Sequence, residues 1–167
     1  ATSLSDLTAR MEIQKPSLYS AFGDKEDLFE PALRRYTNLH AARIRTKLQN
    51  EQSVKGAIRT FFENMVEEEY KKEFSKGCFC INTMVELAPH NEKFEVLTRE
   101  HQMYLAVVFQ ELITKGIRSG ELQRDLNAKA VAQTLVTSLI GLTVLMKSRP
   151  ERSVIDNSVS IIVSIVK

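Results

Sequence analysis

The 167-residue chain is 43% hydrophobic and 26% charged, the balance of an ordinary globular protein with enough apolar material for one good core or two small ones. Its net charge of +2 is too small to mark a nucleic-acid partner by itself. The opening Ala-Thr-Ser-Leu-Ser-Asp lacks the basic-then-apolar layout of a secretion signal, and no apolar run approaches the roughly 18 residues of a membrane span, so the expected compartment is cytoplasmic.

Apolar residues recur at three and four, and Gly (6) and Pro (4) are scarce, which predicts an all-α chain. A first helix over about Leu4–Met11 begins at Ser3, with Asp6 completing a capping box. A second spans about Lys15–Phe22, where Pro16 is tolerated because first-turn amides lack helical partners. Gly23 stops it, and Asp24 caps a long third helix reaching about Leu48. Pro31 lies inside that rod and removes the bond to the carbonyl of Asp27, a cause for a kink or hinge. Further helices are expected over about Ser53–Lys72, Cys78–Ala88, Glu92–Arg118, Ala128–Ser148 and Glu151–Val166, with Pro89 and Gly120 as stops. The stretch Val159–Val166 is β-branched enough for a strand. It is assigned to helix because no second strand candidate could pair with it.

Two helices of about eight residues joined by Glu12, Ile13 and Gln14 have the dimensions of a helix-turn-helix. Leu4, Leu7 and Thr8 form the inward face of the first; Ile13, Leu18 and Phe22 pack the second. The second leaves Lys15, Ser17, Tyr19 and Ser20 outward, groups suited to phosphates and base edges. Charge gives no help, since residues 1–35 hold Arg10, Lys15, Lys25, Arg34 and Arg35 against six acidic residues.

Thr2–Arg10 (TSLSDLTAR) followed by Ile13–Phe29 (IQKPSLYSAFGDKEDLF) resembles the DNA-binding signature of the tetracycline-repressor (TetR) family. A Thr/Ser opens the first helix, Leu18-Tyr19 and Phe22 close the recognition helix, and Lys25 and Leu28 open the next. Gly77–Leu87 (GCFCINTMVEL) resembles a segment of one branch's regulatory domains, and Gly141–Leu145 (GLTVL) with the last helix resembles the family's dimerisation region. The resemblance implies a DNA-binding unit over 1–35, a regulatory and dimerisation unit over 36–167, and a dimer that binds a palindromic double-stranded DNA operator and is released by a small-molecule inducer. Carried over by position, Lys15, Ser17 and Ser20 face the major groove, while Thr2, Tyr19 and Lys25 hold phosphates. Two departures stand out. Glu12 occupies a turn position where the family usually has glycine, and the family's helix preceding Thr2 is absent, which leaves the DNA-binding unit incomplete as written.

In the regulatory unit, Phe61, Phe62, Met65, Met103 and Tyr104 are expected to wall a cavity, with Asn82, Thr83 and Glu86 as its polar groups. Cys78 and Cys80 are read as small buried residues. Two apart on a helix, their side chains diverge by about 200° and cannot share one site; a thiol sensor would need an exposed cysteine of depressed pKa. With His40, His90 and His101 scattered, no metal or cofactor is expected. The penultimate helix is apolar on two sides, which asks for two partners. Val136, Ile140 and Val144, with Ile155, Val159 and Ile162 on the last helix, are assigned to a dimer interface. No nucleophile–base pair, phosphate loop or metal set points to an enzyme. The competing reading is an all-helical small-molecule-binding or protein-interaction module without DNA recognition.

Overall fold

A computed structural model describes residues 3–49 and 51–167, and among these the regular structure is helical: α1 (Leu4–Met11), α2 (Lys15–Phe22), α3 (Lys25–Gln49), α4 (Val54–Tyr70), α5 (Phe79–Glu86), α6 (Glu92–Ser119), α7 (Ala128–Leu145) and α8 (Arg152–Ser164). Single 3-10 turns at Ala88–His90 and Met146–Ser148 follow α5 and α7. The helix starts follow from the side chains that satisfy first-turn amides. Ser3 accepts from the Asp6 amide while the Asp6 carboxylate accepts from Ser3. Asn91 accepts from the amide of Lys93, and Asn127 from that of Ala130. At α4, Ser53 accepts from Gly56, and the carboxylate of Glu121 accepts from the amides of Val54 and Lys55, both at 2.9 Å. The β-branched tail is helical because Ile155, Val159 and Val163 fall on one face and are buried.

Helices α4, α6, α7 and α8 close the main core. Ile58, Phe62, Phe109, Ile113, Leu135 and Ile155 are fully enclosed there. The α6–α7 pair is the most extensive. This explains why Ala128–Ser148, against the sequence expectation, is long and apolar enough to cross a membrane by composition. The α6 partner and the remaining core take one side of α7. Gly116 lets the chain after α6 fold back: a Cβ there would lie 2.7 Å from Leu122 Cδ1 and 3.1 Å from Val54 Cγ2.

A second cluster fixes the front half of α3 to the body. Leu33 packs with Cys78, Cys80, Ile81, Phe94 and Leu97, and Phe29 meets Phe79 and Phe94 edge-on at 4.9 and 5.1 Å. Polar ties run alongside, from Asn91 to Glu26 (2.6 Å) and from Lys93 to Glu30 (3.3 Å). Arg34 and then Lys93 hold the Glu30 carboxyl below the usual range. The helix continues through Pro31, so the segment leaving α2 and the segment entering the core are one element.

Candidate functional site

Helices α1 and α2 meet through a left-handed turn. Glu12 sits at φ 56, ψ 36, its N–H donating back to Ala9 (3.3 Å), and Ile13 donates to Thr8 (3.1 Å). Glu12 thus adopts the conformation glycine would take at lower cost. Leu18, only 1% exposed, pins α2 inward. Lys15, Ser17, Tyr19 and Ser20 are exposed on α2, as is Lys25 at the start of α3. Thr2 lies outside the described residues. Phe22, expected inside, is 38% exposed, because it sits where Gly23 turns the chain (φ 80). That turn admits no Cβ, which would lie 2.5 Å from the Asp27 carboxylate. Asp24 then accepts from the amides of Glu26 (2.7 Å) and Asp27 (2.8 Å). The result is a compact surface of hydroxyls, a phenol and two lysines at one end of α3.

At the other end of α3 lies a cavity of about 310 Å³. Helix α3 supplies Tyr36, His40, Arg43, Ile44 and Lys47; α4 supplies Phe61, Met65, Glu68 and Glu69; α6 supplies His101, Gln102 and Leu105; and α7 supplies Leu139, Ile140 and Thr143. Apolar side chains from Ile44, Phe61, Met65, Leu105, Leu139 and Ile140 share the wall with polar ones, a mixture that suits a small molecule with an apolar body and a hydrogen-bonding group. At the rim Lys47 pairs with Glu68 (2.7 Å) and Lys72 with Glu69.

Of the residues expected in such a cavity, the structure brings Phe61 and Met65 to its wall. Phe62 is fully buried and not on the wall, its ring edge-on to Phe61 at 5.3 Å. Asn82 braces a loop instead, donating to the carbonyl of Lys76 and accepting from Lys147. The Thr83 hydroxyl, buried, donates to the carbonyl of Phe79, and Glu86 is exposed. Met103 and Tyr104 are 63% and 44% exposed, since His101, Leu105 and Phe109 take the inward side of α6 and helical geometry turns their neighbours out. The sequence reading missed Tyr36, His40, His101 and Gln102. The signal was the spacing of Tyr36, His40, Arg43, Ile44 and Lys47, one stripe at helical period.

The cysteine geometry differs from expectation. Cys78 is the N-cap of α5 with extended backbone (φ −102, ψ 133), so the helical divergence does not apply and both cysteines border the cavity. Both are free and buried. The Tyr36 hydroxyl lies 3.3 Å from Cys78 Sγ. Burial, and then this contact, push the phenol up. Burial, followed by Cys78, pushes the Cys80 thiol up to about 12, so it stays protonated and poorly nucleophilic.

The residues assigned from sequence to a dimer interface divide in the structure. Val136, Ile155 and Val159 are 5%, 0% and 5% exposed inside the chain's own core. Ile140 and Ile162 are half-buried, and Val144 is exposed. The outward face of α7 carries Gln133, Thr134, Thr137, Gly141, Val144 and Leu145; that of α8 carries Val154, Asn157, Ile161 and Ser164. None of these positions is charged, and Lys129, exposed one turn before Gln133, bounds the α7 stripe.

Residues 55–160 match the family described as Tetracyclin repressor-like, C-terminal domain. The chain is 30% identical over 165 residues to the uncharacterized HTH-type transcriptional regulator YezE of Bacillus subtilis (strain 168), covering 98% of this chain and 85% of that protein. It is also 30% identical over 146 residues to the HTH-type transcriptional repressor ComR of Escherichia coli (strain K12), covering 86% and 69%. Among solved structures, a cysteine mutant of the TetR family transcriptional regulator CifR, complexed with 26bp double-strand operator DNA, superposes with a TM-score of 0.82 at 30% identity, covering 97% of this chain and 85% of that one. The reduced form of E. coli NemR shares the fold, with a TM-score of 0.84 at 19% identity over 99% and 86% of the two chains.

Proposed function

The chain belongs to the TetR family of transcriptional regulators, and on that premise we propose that it is a repressor that binds a palindromic operator as a homodimer and releases it when a small molecule fills the cavity. The observation that carries this reading is the continuity of α3. One 25-residue helix has the exposed α2 surface at its N-terminal end and Tyr36, His40, Arg43, Ile44 and Lys47 in the cavity wall. A ligand there touches the same continuous helix that sets the position of the DNA reader. Differential contacts of this kind are what allosteric coupling requires, at a typical worth of about 1–3 kcal/mol.

In this reading residues 1–35 form the DNA-reading unit and 36–167 the regulatory and dimerisation unit. Lys15, Ser17 and Ser20 meet base edges, and Thr2, Tyr19 and Lys25 grip phosphates. The uncharged outward stripes of α7 and α8 pair across a two-fold axis, so that two recognition helices reach half-sites about one DNA turn apart. The role is regulatory rather than catalytic, and its place is the cytoplasm with the DNA. Selection of a randomised duplex library by the full-length protein at moderate salt tests the proposal. Recovery of one palindrome, released by a compound that raises the melting temperature, is the expected result. A folded dimer that enriches no sequence would overturn it in favour of a small-molecule-binding bundle.

A further inference from the structure

His40 on α3 and His101 on α6, 61 residues apart, meet with Nδ1 of the first 3.1 Å from Nε2 of the second. Both rings line the cavity, and Tyr36 stacks on His40 at a centroid distance of 5.6 Å. Most other polar groups of the lining are engaged with the protein: Lys47 with Glu68, Lys72 with Glu69, the Tyr36 hydroxyl with Cys78, the Gln102 amide with Met84 Sδ, and the Thr143 hydroxyl with the carbonyl of Leu139. Arg43 is the exception, exposed and without an ion-pair partner among the described residues. Among the described residues, each imidazole has only the other as hydrogen-bond partner.

Burial, and then His40, push the His101 pKa down to about 4; burial, followed by Arg43 and Lys47, lowers that of His40. Two neutral imidazoles joined by one hydrogen bond leave two outer nitrogens, Nε2 of His40 and Nδ1 of His101, of which one donates and one accepts. If the shared proton moves to the other ring, one outer nitrogen takes a proton from water and the other gives one up. The charge is unchanged and the two roles are exchanged. The pair can therefore meet either a hydroxyl or a carbonyl.

We propose that the His40–His101 pair is the polar reader of the cavity and selects a compact, uncharged, mostly apolar molecule bearing one hydrogen-bonding oxygen, a phenol or a ketone. The inference rests on the cavity being the effector site. Ile44, Phe61, Met65, Leu105 and Ile140 supply the apolar wall, where a ligand charge without a dedicated partner is costly. Because the pair bridges α3 and α6, a ligand bonded to it is coupled directly to the helix leading to the DNA reader.

Calorimetric titration of the full-length dimer with four probes of similar shape tests this. The expected result is that 2-naphthol and 2-acetylnaphthalene both bind about tenfold more tightly than 2-methylnaphthalene, with 2-naphthoate weakest. In His101→Phe, or in His40→Leu if the first does not fold, the preference falls to within about twofold while 2-methylnaphthalene still binds. Equal binding of the three neutral probes to the wild type, or a preference that survives both substitutions, would overturn the proposal. Tightest binding of 2-naphthoate would also overturn it, moving recognition to Arg43. Binding of none of the four would remove the cavity's effector role as well, whereas binding without preference removes only the role of the histidines.

Discussion

Replacing Ile161 with Glu should convert the dimer to a folded monomer. The side chain is 67% exposed on the outward face of α8, so the isolated chain tolerates a carboxylate there. Roughly 100 Å² of apolar surface lost from burial, at about 25 cal/mol per Å², removes about 2.5 kcal/mol per copy. A two-fold interface uses the residue twice, so the loss is about 5 kcal/mol, more than about a thousandfold in dissociation constant. Light scattering on a gel-filtration column at micromolar concentration reads the mass, and a thermal melt reads the fold. Ile155→Glu provides the contrast, because that side chain is fully buried in the chain's own core and should abolish the cooperative melt. An Ile161→Glu protein that stays dimeric would refute the assignment of this face.

Lys15→Ala and Tyr19→Ala should each weaken operator binding by about ten- to a hundredfold, a loss of about 1–3 kcal/mol, with an unchanged melting temperature; filter binding at fixed salt measures it. Gly116→Ala should cost about 1–3 kcal/mol in a denaturant melt, since the new Cβ meets Leu122 and Val54. Acidification should destabilise the fold through His101. Its folded pKa of about 4 lies below the unfolded value near 6.5, so between these values the unfolded chain binds more protons. Stability is therefore complete above about pH 6.5 and is lost as pH falls toward 4. Denaturant midpoints of wild type and His101→Gln at pH 7 and pH 5 check this, and the drop should be smaller in the variant.

Helix boundaries were legible because local chemistry sets them. The Ser3–Asp6 box, Asp24 and Gly120 mark ends that the structure reproduces, whereas the caps made by Ser53 and Asn91 emerged with the structure. The helix-turn-helix was legible in its dimensions, and the family resemblance singled out the Glu12 position, which the structure holds in the left-handed region. What each helix faces is set by tertiary partners, and there periodicity is ambiguous. On α8 it identified an apolar stripe through Ile155 and Val159, but that stripe faces inward, and the outward face is marked by its lack of charge. The cavity suffered similarly, because Met103 and Tyr104 look like wall residues until α6 is rotated by its neighbours. The histidine pair is a meeting of positions 40 and 101 that only packing brings about.

The unbroken run of α3 also fixes a scale of motion. Ile44 in the cavity wall and Lys25 beside the recognition helix are separated by nineteen residues, about 28 Å at 1.5 Å per residue. A pivot of about 5° at Ile44 would sweep Lys25 through about 2.5 Å. That approaches the rise of about 3.4 Å along the helix axis from one phosphate of a strand to the next. In a symmetric pair both arms swing, so the separation of the two readers changes by up to twice that displacement. Sub-ångström adjustment around a bound molecule is thereby magnified, by arm length alone, to the dimension at which one step of the double helix is told from the next.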